Sequence, residues 1–168
     1  MRKKSGFTLV ELLLYIGLAA TLLLSISVFL SISLQSQAKN QTIAEVEQEG
    51  QRVLQLITQT IRNASSTNFP ARGNSSSSLS LTTPTPSKNP TIFNLVSSTI
   101  FVTESSNPSA SLTSSRLTVS NLQFDNLSRI NTREIIRISF TLTYNNQSGR
   151  SEFDYAKTFY GTAALRNK

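Results

Sequence analysis

The stretch GFTLVELLLYIGL, residues 6–18, joins a short basic leader to a long apolar run. The leader, residues 1–5, carries three basic side chains, whereas residues 12–34 carry no charged side chain. Glu11 places a single carboxylate at the start of the apolar run. Because an ionised carboxylate is costly in hydrocarbon, an acid at this position is a candidate functional residue.

The apolar run is long enough to cross a lipid bilayer as a helix. Residues 12–34 would rise about 35 Å at about 1.5 Å per residue. Serine and threonine interrupt the run, but their hydroxyl groups can bond back to the preceding turn of the helix. The basic leader predicts a cytoplasmic amino terminus, with the residues after Leu34 outside the membrane.

Three interpretations of this segment compete. It can be an uncleaved signal anchor, or a secretory signal peptide cut after Ser36-Gln37-Ala38. The apolar part of a cleaved signal peptide usually has only about 7–15 residues, so this run is too long for the second interpretation. The third is a leader cut between Gly6 and Phe7, and it alone accounts for Gly6, Glu11 and the short basic leader together.

Residues 6–18 resemble the processing site of type IV prepilins and the related pseudopilins. The resemblance implies that a membrane peptidase cuts between Gly6 and Phe7 and that Phe7 is then N-methylated. Glycine suits the first position because it leaves the scissile backbone accessible. Glu11 matches the family glutamate, which pairs with the amino terminus of a neighbouring subunit and sets its axial register. A buried charge needs such a partner.

The helix is predicted to continue beyond the apolar run. Residues 35–63 contain no proline and a single glycine, Gly50. Apolar residues recur there at steps of three and four, as in an amphipathic helix that packs on another layer. The stripe comprises Ile43, Val46, Gly50, Val53, Leu54, Ile57 and Ile61. We therefore expect one helix from about Phe7 to Asn63, bent near Gly50, although an exposed stalk is the alternative for its second half.

The rest of the chain predicts a loop followed by antiparallel strands. Residues 64–91 are rich in serine and proline and predict a long loop with little regular structure. Alternation of apolar and polar residues predicts strands beyond it. The predicted strands are 92–96, 99–103, 116–124 with a bulge near Asn121, 134–144, and 152–160, the last two forming a hairpin. Phe153, Tyr155 and Phe159 are expected on one face of the last strand, with Glu152 and Asp154 on its wet face.

The predicted fold is therefore α+β and pilin-like, with a long amino-terminal helix packed on a carboxy-terminal antiparallel sheet. The expected divisions are 1–6 leader, 7–34 membrane and assembly half of the helix, 35–63 amphipathic half, 64–91 loop and 92–168 sheet head. The segments 53–64, 119–124 and 162–167 are similar to minor pilins of the PilW kind and pseudopilins of the type II secretion J kind.

Composition argues against catalysis. The chain has no cysteine and no histidine, so the thiol nucleophile and the commonest general base are absent. The sequence predicts no enzyme activity, no metal site and no cofactor. The net charge of +7 falls to 13 basic against 9 acidic residues, or +4, without the leader. The missing cysteine pair also departs from many major pilins and favours a low-abundance subunit.

The sequence thus predicts a minor pilin or pseudopilin that assembles into, or primes, a type IV pilus or a type II secretion-like filament. Its expected partners are the prepilin peptidase and methyltransferase, other pilins, the inner-membrane assembly platform and membrane lipid. The expected location is the bacterial inner membrane, as a single-pass protein with its head outside, and then the filament. One alternative is a single-pass membrane-anchored binding protein with no filament role; a mature chain that begins at Met1 or Lys39, rather than at methylated Phe7, would rule out the pilin.

The other alternative is a pilin that captures DNA for competence. Its signature would be a cluster of basic residues on one exposed face of the head. The candidates are Arg116, Arg129, Arg133 and Arg137.

Overall fold

A computed structural model describes residues 6–166 and divides the chain into two compact units, residues 1–40 and 41–168. Helix α1, Leu9–Asn63, begins in the first unit and ends in the second. It confirms the predicted long helix, which begins two residues later than expected. Most of the predicted leader, residues 1–5, lies outside the described residues.

In the first unit, helix α1 exposes its apolar side chains. The large apolar residues from Leu9 to Leu34 are all more than half exposed. This part of α1 is long and apolar enough to cross a membrane, with a mean hydropathy of 2.3 over its most apolar window. The hydroxyl groups in this part of the helix bond to earlier carbonyls and so are not left unpaired: Thr21 Oγ1 donates to Leu18 O at 2.9 Å, and Ser25 Oγ donates to Thr21 O at 2.8 Å.

Within residues 41–166, the second unit contains the remainder of α1 and nine strands, all paired antiparallel. The strands are β1 Ser66–Phe69, β2 Ser75–Ser76, β3 Leu79–Thr82, β4 Thr91–Val96, β5 Thr99–Glu104, β6 Ala110–Ser111, β7 Leu117–Asn126, β8 Ile135–Tyr144 and β9 Ala156–Ala164. One sheet has the order β1-β3-β4-β5-β6 and the other the order β2-β7-β8-β9. The fold class is confirmed as α+β, with the strands divided between two sheets.

The amphipathic half of α1 packs on the second sheet. Its buried residues are Thr42, Val46, Gly50, Val53, Ile57 and Ile61, at steps of three and four. Glu47 accepts hydrogen bonds from Lys157 Nζ at 2.7 Å and from Tyr155 Oη at 3.2 Å, which tie the helix to β9 and the residue before it. The Lys157 hydrogen bond is the main cause that lowers the pKa of Glu47. The predicted packing of this half is therefore confirmed, and the stalk alternative is wrong.

The expectation of little regular structure in residues 64–91 is wrong. Strands β1, β2 and β3 lie there, and Pro86–Lys88 form a short 3-10 helix. Leu79 and Leu81 are fully buried and alternate with polar residues, so β3 does carry the period of a half-buried strand. Two leucines among many serines were too short a pattern to outweigh the composition.

The last strand also differs from the prediction. It spans Ala156–Ala164 rather than 152–160, and Ser151–Phe153 form a 3-10 helix. Phe153 stacks on Tyr144 with ring centroids 5.9 Å apart, so its apolar surface is used at the turn and not on the strand. Neither Glu152 nor Asp154 lies on a strand. Phe159 is buried as expected.

The bulge near Asn121 is confirmed. The β7–β8 register shifts between Ser120 and Gln123, and Asn121 has a φ of 52°. Asparagine tolerates this left-handed conformation better than most residues. The bulge changes the phase of β7, because two residues there face a single residue of β8.

Asp125, on β7 beyond the bulge, is a buried carboxylate that is fully paired. It is 5% exposed and accepts hydrogen bonds from Ser75 Oγ, from Gln123 Nε2 at 2.6 Å and from Arg137 Nε at 2.8 Å. Burial by itself raises the pKa of Asp125, but these hydrogen bonds outweigh burial and hold the pKa below its ordinary 3.8. The charged form is therefore stabilised more in the folded chain than in the unfolded chain.

We expect Asp125→Asn to destabilise the head at neutral pH, by an amount that shrinks as the pH is lowered from about 5 to about 2. Because the folded-state pKa is depressed, the stabilisation is present above the unfolded-state pKa and is lost as the pH falls through the lower folded-state value. Urea unfolding at a series of pH values measures the difference. Asp154→Asn, at an exposed carboxylate, is the control. A difference that stays constant with pH would contradict this account.

Candidate processing and assembly site

The Gly6–Phe7 peptide lies outside helix α1. Residues 6–8 are irregular and exposed, and α1 begins at Leu9. The space around Gly6 is open, since a Cβ built there would meet no heavy atom within 4 Å. A peptide bond inside a helix is protected by its hydrogen bonds, whereas this one is accessible to an enzyme.

Thr8 caps the amino terminus of α1. Its Oγ1 accepts a hydrogen bond from the Glu11 backbone N–H at 3.3 Å, and its carbonyl accepts the Leu12 N–H at 3.1 Å. A threonine followed three residues later by glutamate is the sequence signal of a capping box. We did not predict this role for Thr8, although the Thr8-x-x-Glu11 spacing was sufficient to find it.

Glu11 lies in the first turn of α1 with its side chain exposed. The positive end of the helix dipole favours a carboxylate there. Among residues 6–166, no basic group pairs with Glu11, and the next charged residue along the chain is Lys39. The carboxylate is thus available to a group from outside the described chain.

Phe7 is close to the first turns of the helix. It is 71% exposed, and its ring meets that of Tyr15 edge to face, with centroids 5.8 Å apart. The structure therefore brings together the predicted residues Gly6, Phe7 and Glu11 at one helix end. This placement follows from their separation in sequence and from the cap at Thr8.

Two of the four basic residues that we considered as a DNA signature, Arg116 and Arg137, lie far apart along the second sheet. Arg116 precedes β7 at the end where Leu117 pairs with Tyr144. Arg137 pairs with Asp125, seven residues or about 23 Å along β8 from Tyr144. Arg137 is also held by the Asp125 carboxylate at 2.7 Å. No cluster of three or more metal-ligating side chains occurs within residues 6–166.

Comparison with known families supports the amino-terminal site. Residues 1–27 match the model of the prokaryotic N-terminal methylation motif. No curated protein and no solved structure is a match for the chain. The match covers the leader, the Gly6–Phe7 peptide and Glu11, and it extends into the apolar half of α1. The chain therefore carries, at its amino terminus, the prokaryotic N-terminal methylation motif of type IV pilin-like proteins.

Proposed function

We propose that this chain is a minor pilin or pseudopilin, cut between Gly6 and Phe7, methylated at Phe7 and assembled through Glu11. The observation that carries the proposal is the joint occurrence of the methylation motif and a helix whose apolar side chains from Leu9 to Leu34 are exposed. Such a surface needs a membrane or other helices around it. The membrane surrounds this apolar surface before assembly, and the helices of other subunits surround it in the core of a filament.

The chemistry of assembly rests on two groups at one helix end. Cleavage creates an amine at Phe7, and Glu11 is the fifth residue of the mature chain. In the apolar core of a filament, the Glu11 carboxylate of one subunit pairs with the Phe7 amine of its neighbour. Because leaving one of two buried charges unpaired costs about 3–5 kcal/mol, subunits out of register are strongly disfavoured.

The assignment to the PilW and type II secretion J kinds is part of this proposal. It is supported by the resemblance of the segments 53–64, 119–124 and 162–167. In the structure, residues 53–63 are the last turns of α1, residues 119–124 are the bulged part of β7, and residues 162–164 are the end of β9. The partners proposed are a prepilin peptidase with methyltransferase activity, other pilins and an inner-membrane assembly platform.

Mass spectrometry of the mature amino terminus tests the proposal. We expect the chain isolated from cells with a prepilin peptidase to begin at N-methylated Phe7. Gly6→Val is expected to leave most of the chain uncut, because a branched side chain next to the scissile bond restricts the backbone. Gly17→Val, at the other glycine of the apolar segment, is the control and should be cut normally. A mature chain that begins at Met1 or at Lys39 would overturn the proposal.

A membrane-anchored binding protein is the second candidate. It is favoured by a pocket of about 370 Å³ at the end of β7 and β8. Tyr144, Phe153 and Arg116 are among its lining residues, together with the polar turn 145–148. Aromatic and polar groups that converge on a pocket suit a small ligand. The same mass spectrum separates the two candidates, since an anchor retains Met1.

A further inference from the structure

The surplus positive charge of residues 41–166 is concentrated at one end of the second unit. Five exposed arginines lie there, and we call this region the arginine end. They are Arg62, Arg72, Arg129, Arg133 and Arg166. Arg62 is in the last turn of α1, about 30 Å along the helix from Gln41.

Contacts around Glu134 bring the arginine end together. The Glu134 carboxylate lies 3.5 Å from Arg72 and accepts the Thr67 N–H at 2.7 Å. The backbone carbonyl of Glu134 accepts the Leu165 N–H at 2.9 Å, which places Arg166 beside Glu134. The Arg166 backbone N–H in turn donates to Arg62 O at 3.1 Å. Arg133 precedes Glu134 in the chain, and Arg129 lies in the same β7–β8 loop. The contacts of Glu134 thus bring together the segments that carry the five arginines, and its carboxylate pairs with the Arg72 guanidinium.

The charges do not cancel locally. Residues 41–166 contain 11 basic and 8 acidic side chains, a net charge of +3. The arginine end with Glu134 has a net charge of +4, so the rest of these residues has a net charge of −1. Within the described chain, Arg62, Arg129, Arg133 and Arg166 form no ion pair. This end therefore attracts anions, whereas the acidic side chains elsewhere in residues 41–166 are mostly held in ion pairs with basic side chains.

Exposed apolar side chains lie among these arginines. Ile130 is 79% exposed, and Leu127 and Phe69 are each 48% exposed. Phe69 precedes Pro70, whose carbonyl accepts a hydrogen bond from Asn126 Nδ2 at 2.9 Å, so it lies beside the start of the loop that holds Leu127 and Ile130. Three of the five large apolar residues that the described part of the second unit exposes are at this end.

Hydrogen bonds within the β7–β8 loop fix the conformation of the segment that carries the exposed Ile130. Thr132 Oγ1 donates to Arg129 O at 2.9 Å, and Ser128 Oγ accepts the Ile135 N–H at 3.0 Å. Ser128 is buried, whereas Ile130 between these anchors is exposed. This loop is therefore ordered before binding, and that order lowers the entropic cost of binding.

We propose that the arginine end docks on an anionic lipid surface. The arginines contact lipid phosphates while Ile130, Leu127 and Phe69 enter the interface below the headgroups. Arginine suits phosphate because its planar group donates two parallel hydrogen bonds. Basic residues next to exposed apolar residues are typical of surfaces that bind membranes. The proposal goes beyond the filament function and does not depend on it.

Two other occupants fit less well. A duplex nucleic acid would use the arginines, but it would leave three large apolar side chains on two separate segments unused, apart from a wedge between bases. A second copy of this chain fits less well, because seven of the eight carboxylates of residues 41–166 are already in ion pairs within the chain. A lipid surface uses both the charge and the apolar side chains.

The experiment uses the full chain, held in nanodiscs of phosphatidylcholine alone. Added vesicles consist either of phosphatidylcholine or of equal parts phosphatidylcholine and phosphatidylglycerol, and capture of the nanodiscs by vesicles is measured by flotation. We expect capture by the anionic vesicles only, weakened by salt. Arg129→Gln with Arg133→Gln should lower the affinity about 25-fold, at about fivefold for each charge. Ile130→Asn should lower it about tenfold.

The matched control removes two positive charges elsewhere, with Lys88→Gln and Arg116→Gln, and should bind like the unchanged chain. Capture that does not fall in the arginine variant would overturn the proposal, as would the absence of capture by anionic vesicles. Capture that needs the arginines but is indifferent to Ile130→Asn would also overturn it and would indicate a soluble polyanion. Binding of duplex DNA without vesicle capture would assign the surface to nucleic acid.

Discussion

Glu11→Gln is expected to lower incorporation of the subunit into filaments by about 100-fold or more, while the chain is still cut before Phe7. Loss of one member of a buried ion pair leaves the amine of the neighbouring subunit uncompensated, at a cost of about 3–5 kcal/mol, which corresponds to this factor. The measurement is the amount of subunit in sheared filaments relative to the amount in membranes. Mass spectrometry on the membrane fraction reports the cut.

Glutamine is the informative replacement because it removes the charge of Glu11 and keeps the size of the side chain. The hydrogen bond from the backbone N–H of residue 11 to Thr8 Oγ1 is also kept, so helix capping is unchanged. Thr8→Ala serves as the control: it removes the cap, at a cost of about 1 kcal/mol to the helix, but keeps the carboxylate. If Thr8→Ala abolishes incorporation and Glu11→Gln does not, the role of this turn is helix capping, and the proposed charge pairing is wrong.

Gly50→Leu is expected to lower the free energy of unfolding of the head by about 2 kcal/mol. A Cβ at this position would lie 2.1 Å from Phe159 Cζ, far inside van der Waals contact. The ring cannot move aside freely, because Phe159 is 3% exposed and stacks on Phe140 with centroids 5.4 Å apart. Overpacking costs about 3 kcal/mol, and the better helix propensity of leucine returns about 1 kcal/mol.

Thermal unfolding followed by near-ultraviolet circular dichroism measures this loss, which should lower Tm by about 8 °C. Gly17→Leu is the matched control, since nothing lies within 4 Å of a Cβ at Gly17. It should leave the unfolding of the head unchanged. Equal Tm values for the two variants would show that the ring of Phe159 yields to the new side chain and that close packing at Gly50 is unimportant.

Gly50 also shows what the local sequence could not predict. Helix α1 continues through Gly50, and the missing side chain accommodates the ring of a residue more than 100 positions later in the chain. Gly161 has the same relation to Leu54, whose Cδ1 would lie 2.6 Å from a Cβ there. The partner of a small residue cannot be found from local pattern.

The strands show the same division between strong and weak local signals. Strand β8, Ile135–Tyr144, was predicted to within one residue, because ten residues alternate regularly. Strand β3, with two leucines, was missed, and the start of β9 was misplaced by four residues. At β9 the competing signal was Phe153, an aromatic residue that packs on Tyr144 at the turn rather than on the strand.

The segment from Gly6 to Leu34 was determined by the sequence alone. The charge-free run, Glu11 and Gly6 interact with residues only a few positions away in the chain. Helix geometry therefore follows directly from their spacing in the sequence. The arginine end was decided by tertiary structure. Its five arginines are spread from Arg62 to Arg166, and only the pairing of β8 with β9 and the contacts of Glu134 bring them together. Chain folding, and not sequence proximity, creates that concentration of charge.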